Sequence, residues 1–391
     1  MTDTTWLLKP GSNDYTNGGN WSVNTPGQDD TGFFGTSNTT DLSIGTFTQA
    51  GGWVFNPWAA QYIFTITSSG GLQFFGSGIS VNGGGATIYD GGAMDFFDNS
   101  SAGKALIVND GSGLGSGLTF HDGSNAGNAT IININQLSFT DDSSAGMANI
   151  INQSTMTFDL DSSAGSAKIQ TFAGGSVTFR GNSNGGKAQL ITHAGGIVDF
   201  SQSSGPGGNH HLSVGSIAGG GTYELGADQL TVGGNARSTT VTGPIDDGGA
   251  GGGIGGALVK VGHGTLKLSH AHNTYSGGTT LKAGALDVAA LGAAGIGAIK
   301  FAGLATLKIE NAALSHHVFS NPIDKFGNND VLDLSGLSFD PAATATYHAA
   351  SHHLTVHSGS VTDTLTLLGP LGTHFEAISD GHGGTDLLLH A

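Results

Sequence analysis

The sequence predicts an all-β solenoid, a stack of short coils that bury their apolar edges only against one another. Three observations carry this. A Phe, a Ser four residues on and a small-residue pair recur from Phe96, Phe120, Phe139, Phe158, Phe179 and Phe200, at spacings of 24, 19, 19, 21 and 21 residues. Glycine reaches 69 of 391 residues, and no long window combines helix formers with helical apolar spacing. Short β-rich runs such as Ala129-Thr130-Ile131-Ile132-Asn133-Ile134 alternate with turn residues.

The register holds at several positions. Ser100, Ser124, Ser143, Ser162, Ser183 and Ser204 share the fourth place after Phe. The small pair reads Ala102-Gly103, Ala126-Gly127, Ala145-Gly146, Ala164-Gly165, Gly185-Gly186 and Pro206-Gly207. Ala105, Ala129, Ala148, Ala167 and Ala188 follow, then Ile107, Ile131, Ile150, Ile169 and Leu190. Stacked coils place equivalent residues one above another at about 4.8 Å. The Phe and Ile columns are therefore expected to form the core. The Ser column is expected at a turn, with its hydroxyls bonding one another or the backbone.

Composition narrows the function. Twelve Lys and Arg stand against 29 Asp and Glu, a net charge of −17, which disfavours binding nucleic acid by phosphate neutralisation. There are no cysteines, so stacking rather than cross-linking must stabilise the chain. No apolar run reaches the length of a membrane span.

From the N-terminus, the segment 1–60 holds all the tryptophans: Trp6, Trp21, Trp53 and Trp58. It reads as a cap over the first coil, with a sugar-stacking platform as the other reading of such a cluster. The segment 61–247 carries the short repeats, and 248–320 opens with a glycine-rich break, Gly248 to Gly256, expected to project as a loop. The segment 321–391 is a second cap or a secretion signal.

Two motifs add family resemblance. Leu258-Val259-Lys260-Val261-Gly262-His263-Gly264-Thr265-Leu266-Lys267-Leu268-Ser269, then Asn273-Thr274-Tyr275-Ser276-Gly277-Gly278-Thr279-Thr280-Leu281 and Gly284-Ala285-Leu286, closely resembles the autotransporter-associated β-strand repeat, also called the passenger-associated transport repeat. Gly19-Asn20-Trp21-Ser22, Pro26-Gly27 and Asp30-Thr31-Gly32-Phe33 resemble the opening of many such bacterial passengers. The resemblance implies a right-handed parallel β-helix exposed outside the cell. The usual C-terminal barrel pattern of ten-residue alternating strands does not end this chain, so export through such a barrel is not expected. Ile323-Asp324-Lys325-Phe326-Gly327-Asn328-Asn329-Asp330-Val331-Leu332-Asp333-Leu334-Ser335 resembles a segment near the C-terminus of proteins exported by type I secretion. Met1 to Pro10 shows no basic stretch followed by an apolar one, and an uncleaved C-terminal signal would account for that. Asp380-Gly381-His382-Gly383-Gly384-Thr385-Asp386 resembles half of a glycine-aspartate calcium repeat.

Candidate sites follow from the columns. Asp98, Asp122 and Asp141 each fall two residues after their Phe, a solvated acidic edge or a place for bridging calcium. Twelve of the 16 histidines lie from His263 onward, with adjacent pairs His210-His211, His316-His317 and His352-His353. His270 and His272, if on a strand, would share a face and suit a transition metal. Asp159 and Asp161 are the carboxylate pair that a polysaccharide-active β-helix would need. Arginine is confined to Arg180 and Arg237, so an acidic sugar would meet little positive charge. The expectation is an extracellular structural protein with no catalytic role: an adhesin, a matrix component or a fibre subunit. Its partners would be itself or cell-surface material. A carbohydrate-binding or polysaccharide-active β-helix is the alternative.

Overall fold

A computed structural model describes residues 2–111, 115–369 and 374–390. Those residues form an all-β parallel solenoid, with two single-turn 3-10 segments, Gly18–Asn20 and Asn311–Ala313, as the described helical elements. The chain divides into two compact units, residues 1–191 and 192–391.

In the first unit each coil contributes two short strands. One line runs Thr31–Phe34, Phe47–Phe55, Gly71–Val81, Ala93–Phe96, Gly117–Phe120, Gln136–Phe139, Thr155–Phe158 and Ser176–Gly181, all parallel and stacked in sequence order. A second line runs Asp41–Ile44, Gln61–Ile66, Gly85–Asp90, Leu106–Asn109, Thr130–Asn133, Asn149–Asn152 and Lys168–Thr171. Single parallel bridges between Gly78, Ser101, Asn125, Ser144, Ser163 and Asn184 add a third line of backbone pairing. Strands of four residues suffice because the next coil satisfies the backbone groups that an isolated hairpin would leave to water.

Alternation within each strand sends every second side chain inward. Phe96, Phe120, Phe139, Phe158 and Phe179 are fully buried, and successive rings stack. Phe120 and Phe139 lie 4.7 Å apart with planes 4° apart, so ring spacing follows strand spacing. Ile150 sits between Ile131 and Ile169 in register, all buried. At the N-terminal end Trp6, Trp21 and Trp53 are buried with Tyr15, Phe34 and Phe64. Their ring N–H groups donate to Thr39 O, Tyr15 O and the Tyr15 hydroxyl, at 2.9, 2.8 and 2.9 Å. These indoles offer no face to a sugar, and Trp58 alone of the four is exposed.

The register of the sixth repeat differs from its sequence alignment. Ser203 is buried, whereas Ser204 is half-buried and lends its carbonyl to the His210 N–H. The cause lies in the backbone: the strand Ile197–Ser203 continues past Phe200, and the first left-handed residue comes only at Gly205, φ 71°. Pro206-Gly207 accordingly lies in a wider turn, not in the small-pair position.

The second unit keeps parallel stacking with less regular coils. One line runs His211–Val214, Gln229–Val232, Ala257–Lys260, Thr279–Leu281, Ile299–Phe301 and Ile323–Asp324. Another runs Thr239–Val241, Thr265–Leu268, Gly284–Val288, Ala305–Ile309 and Val331–Leu334. The Ile323-to-Ser335 motif therefore builds both legs of a solenoid coil. The direction then changes: Thr385–His390 pairs antiparallel with Val331–Leu334, and Thr344–His348, His353–Ser358 and Val361–Leu368 form an antiparallel meander.

Candidate functional site

The polar side chains of the coil form columns, and these are the candidate functional features. The turn after each Phe needs a left-handed residue two positions on. Asp98, Asp122 and Asp141 adopt φ of 56°, 50° and 57°, and Leu160 and Gly181 continue the column at 55° and 60°. Asp tolerates this region because its short polar side chain bonds locally, and Gly because it lacks Cβ. Two of the carboxylates are engaged: Asp122 accepts from the Asp98 N–H at 3.0 Å, and Asp141 from the Asp122 N–H at 3.3 Å. This geometry does not fit a calcium cage. The three lie along an open edge, and no group of three carboxylate or imidazole donors converges anywhere among the described residues.

Ser100, Ser124, Ser143, Ser162 and Ser183 are fully buried at the same turn, but not as a hydroxyl ladder. Ser100 Oγ donates to the Phe74 carbonyl at 3.4 Å, and Ser183 Oγ accepts from the Arg180 N–H at 2.9 Å. The hydroxyls of Ser124, Ser143 and Ser162 have no hydrogen-bond partner. A repeat of about 4.8 Å is too wide for one hydroxyl to reach the next. Serine here acts as a small inward side chain.

The polar ladder that does form is built of asparagine. Asn109, Asn133 and Asn152 close successive strands and are fully buried. Asn109 Nδ2 donates to Asn133 Oδ1, and Asn133 Nδ2 to Asn152 Oδ1, each at 2.7 Å. Each Nδ2 also donates to a backbone carbonyl, of Gln136, Thr155 and Ser176 in turn, at 2.7, 3.0 and 2.9 Å. The longer amide side chain spans the coil repeat where the hydroxyl cannot. Sequence reasoning missed this column, although each Asn stands 13 residues after its Phe, followed by Thr171 at the same offset from Phe158.

The other predicted site residues disperse. Asp159 and Asp161 flank the Leu160 turn, where Asp159 accepts from the Leu160 N–H at 2.8 Å and Asp161 from Asn182 Nδ2 at 2.9 Å. His270 and His272 lie in an irregular turn rather than a strand, with His272 at φ 60°. Of the adjacent pairs, His210 and His317 hold buried aspartates, Asp228 at 2.7 Å and Asp363 at 2.8 Å. Asp380 folds its turn on itself by accepting from the His382 and Gly384 N–H groups at 2.6 and 2.8 Å. The glycine-rich break is also held down. Asp199 and Ser201 accept from the N–H groups of Ala250 and Gly251 at 2.9 and 2.8 Å, and Asp247 accepts from Gly256 at 2.8 Å.

The region from Leu258 to Val288 has its own logic. Leu258, Leu266, Leu268, Leu281, Leu286 and Val288 fill the core. Asn273 is buried, accepting from the Ile245 N–H at 3.0 Å and donating to the Ala293 carbonyl at 2.7 Å. The Tyr275 hydroxyl meets Thr279 Oγ1 at 2.7 Å inside the coil. Lys260 is buried without a carboxylate, its ammonium donating to the carbonyls of Val261, Gly262 and Ala283 at 2.8, 2.9 and 3.1 Å. Burial pulls this amine down to about 8. The strand-turn-strand pattern thus carries internal polar staples at Lys260, Asn273 and Tyr275.

Residues 258–288 match the family model for the passenger-associated transport repeat. No curated protein and no solved structure matches the chain. No helix among the described residues is long and apolar enough to cross a membrane.

Proposed function

We propose that this protein is a secreted or surface-exposed passenger with a structural role, a scaffold for adhesion, matrix or fibre formation rather than a catalyst. The observation that carries this reading is the continuity of the first unit's columns: ring on ring from Phe96 to Phe179 and amide on amide from Asn109 to Asn152. A coil that repeats its interior also repeats its backbone spacing, and stacked equivalent positions suit presentation at a fixed period more than a single cleft. The passenger-associated repeat supports export. The residues from 321 onward are proposed to serve in that export as well as in the fold.

Protease shaving of intact producing cells, with blotting of cells and medium, tests the location. Protected protein confined to the cytoplasm rejects it. Negative-stain imaging across protein and calcium concentrations tests assembly. Filaments or lateral arrays are expected, and monodisperse single particles throughout would leave a monomeric adhesin.

A further inference from the structure

At the head of the asparagine ladder stands an aspartate. Asp90 closes the strand Gly85–Asp90 and pairs in register with Asn109, so the two side chains share a face at the coil spacing. Asp90 is fully buried, and neither carboxylate oxygen makes a hydrogen bond of ordinary geometry; the Gly92 N–H is near but poorly placed. Asn109 Oδ1 is likewise buried and unpartnered. Two orphaned acceptors therefore occupy adjacent rungs of one column, an arrangement that costs free energy unless a proton joins them.

Turning the Asn109 amide round would not remove the conflict. Asn109 Nδ2 already serves Asn133 Oδ1 and the Gln136 carbonyl. A flip would bring two oxygens together at Asn133. Flipping Asn133 and Asn152 in turn would strip the Thr155 and Ser176 carbonyls of their donors. Those carbonyls set the ladder's direction and leave its first acceptor open toward Asp90.

We propose that Asp90 is a proton-binding site: at mildly acidic pH it holds a proton and donates it to Asn109 Oδ1, closing the ladder, and losing that proton as pH rises through neutrality loosens these coils. Among the described residues no compensating cation acts on it. On its other side Asp90 pairs with apolar Ile66, and the charged groups acting on it are the carboxylates of Asp95 and Asp110. His121 lies 3.6 Å from Asp95, at that carboxylate and not at Asp90. Burial pushes the Asp90 carboxyl up to about 7, Asp95 and Asp110 push the same way, and the nearby Gly92 N–H opposes them. A raised folded-state value means that the folded chain binds this proton more tightly than the unfolded chain. Its stabilisation is full below the ordinary Asp range and is lost as pH rises through about 7.

The test uses the full chain and the variants Asp90→Asn and Asp90→Leu. Asn supplies a permanent donor to Asn109 Oδ1, whereas Leu removes the charge and leaves that oxygen unpaired. Between the ordinary Asp range and neutrality, the wild-type unfolding constant should rise relative to Asp90→Asn by up to tenfold per pH unit. Asp90→Asn should be the most stable of the three at pH values above 7, and Asp90→Leu should lack the pH response yet remain less stable than Asn. Carboxyl-carbon NMR should show Asp90 titrating near neutrality. An Asp90 midpoint in the ordinary carboxylate range, an Asn variant as pH-sensitive as wild type, or a Leu variant as stable as the Asn variant would each overturn the proposal.

Discussion

Single residues decide whether a coil closes well, and Leu160 is the clearest departure from its column. It occupies the left-handed position that Asp98, Asp122, Asp141 and Gly181 fill on either side, and it is about half exposed, at 49%. An L-residue with a full side chain there costs about 1–2 kcal/mol, which the half-burial of Leu160 offsets only in part. Leu160→Gly is expected to raise stability by about 1 kcal/mol, read as a higher urea midpoint with unchanged slope. Lys260 is the opposite case, a charge that the coil needs. Lys260→Met keeps the stem but strips the carbonyls of Val261, Gly262 and Ala283 of their ammonium donor. A loss of about 2–3 kcal/mol is expected, again from denaturant titration, and a variant as stable as wild type would show that water replaces the amine.

At the scale of the coil, stability depends on columns remaining unbroken. Gly146 has φ 58°, and a Cβ there would lie 2.8 Å from the Gly127 carbonyl oxygen. Gly146→Ala should therefore cost at least about 1–2 kcal/mol, because strain and overlap act together. Ile150→Asp is more severe. It places an unpaired charge between Ile131 and Ile169 in a fully apolar column, and about 4 kcal/mol or more should be lost. Hydrogen exchange with mass spectrometry checks its reach. Since each coil leans on its neighbours, protection should collapse across Thr130–Asn133, Asn149–Asn152 and Lys168–Thr171, while Ala305–Ile309 retains its own. Uniform loss along the whole chain would contradict nearest-neighbour stacking.

Over the whole molecule, charge governs association. A net charge of −17 makes copies repel one another. Self-association is accordingly expected to strengthen as salt shortens the screening length to about 8 Å near physiological ionic strength. Light scattering across a sodium chloride series measures this. Assembly that weakens as salt rises would point to contacts made by opposite charges instead.

The repeating class of the fold was legible in the sequence because a solenoid writes its period directly into the chain. Phe96, Phe120, Phe139, Phe158 and Phe179 recur at coil length, and burial demands an apolar residue at each equivalent place. The Trp-rich start and the passenger-associated repeat were equally visible as local patterns. Tertiary structure decided what each polar column does, because a hydroxyl, a carboxylate and an amide differ in reach while sharing a period. The Ser column was visible but its bonding was not: coil spacing exceeds what Ser124 Oγ can cross and matches what Asn133 Nδ2 can. The turn role of Asp98, Asp122 and Asp141 depended on a positive φ that Leu160 shares without sharing their chemistry. The sixth repeat slipped by one residue, to Ser203, because its strand runs on before turning. Asp90 became a site only when folding set its carboxyl opposite the one Asn109 oxygen the ladder leaves unpaired. Sequence determined which residues recur; three-dimensional spacing determined which of them could reach a partner.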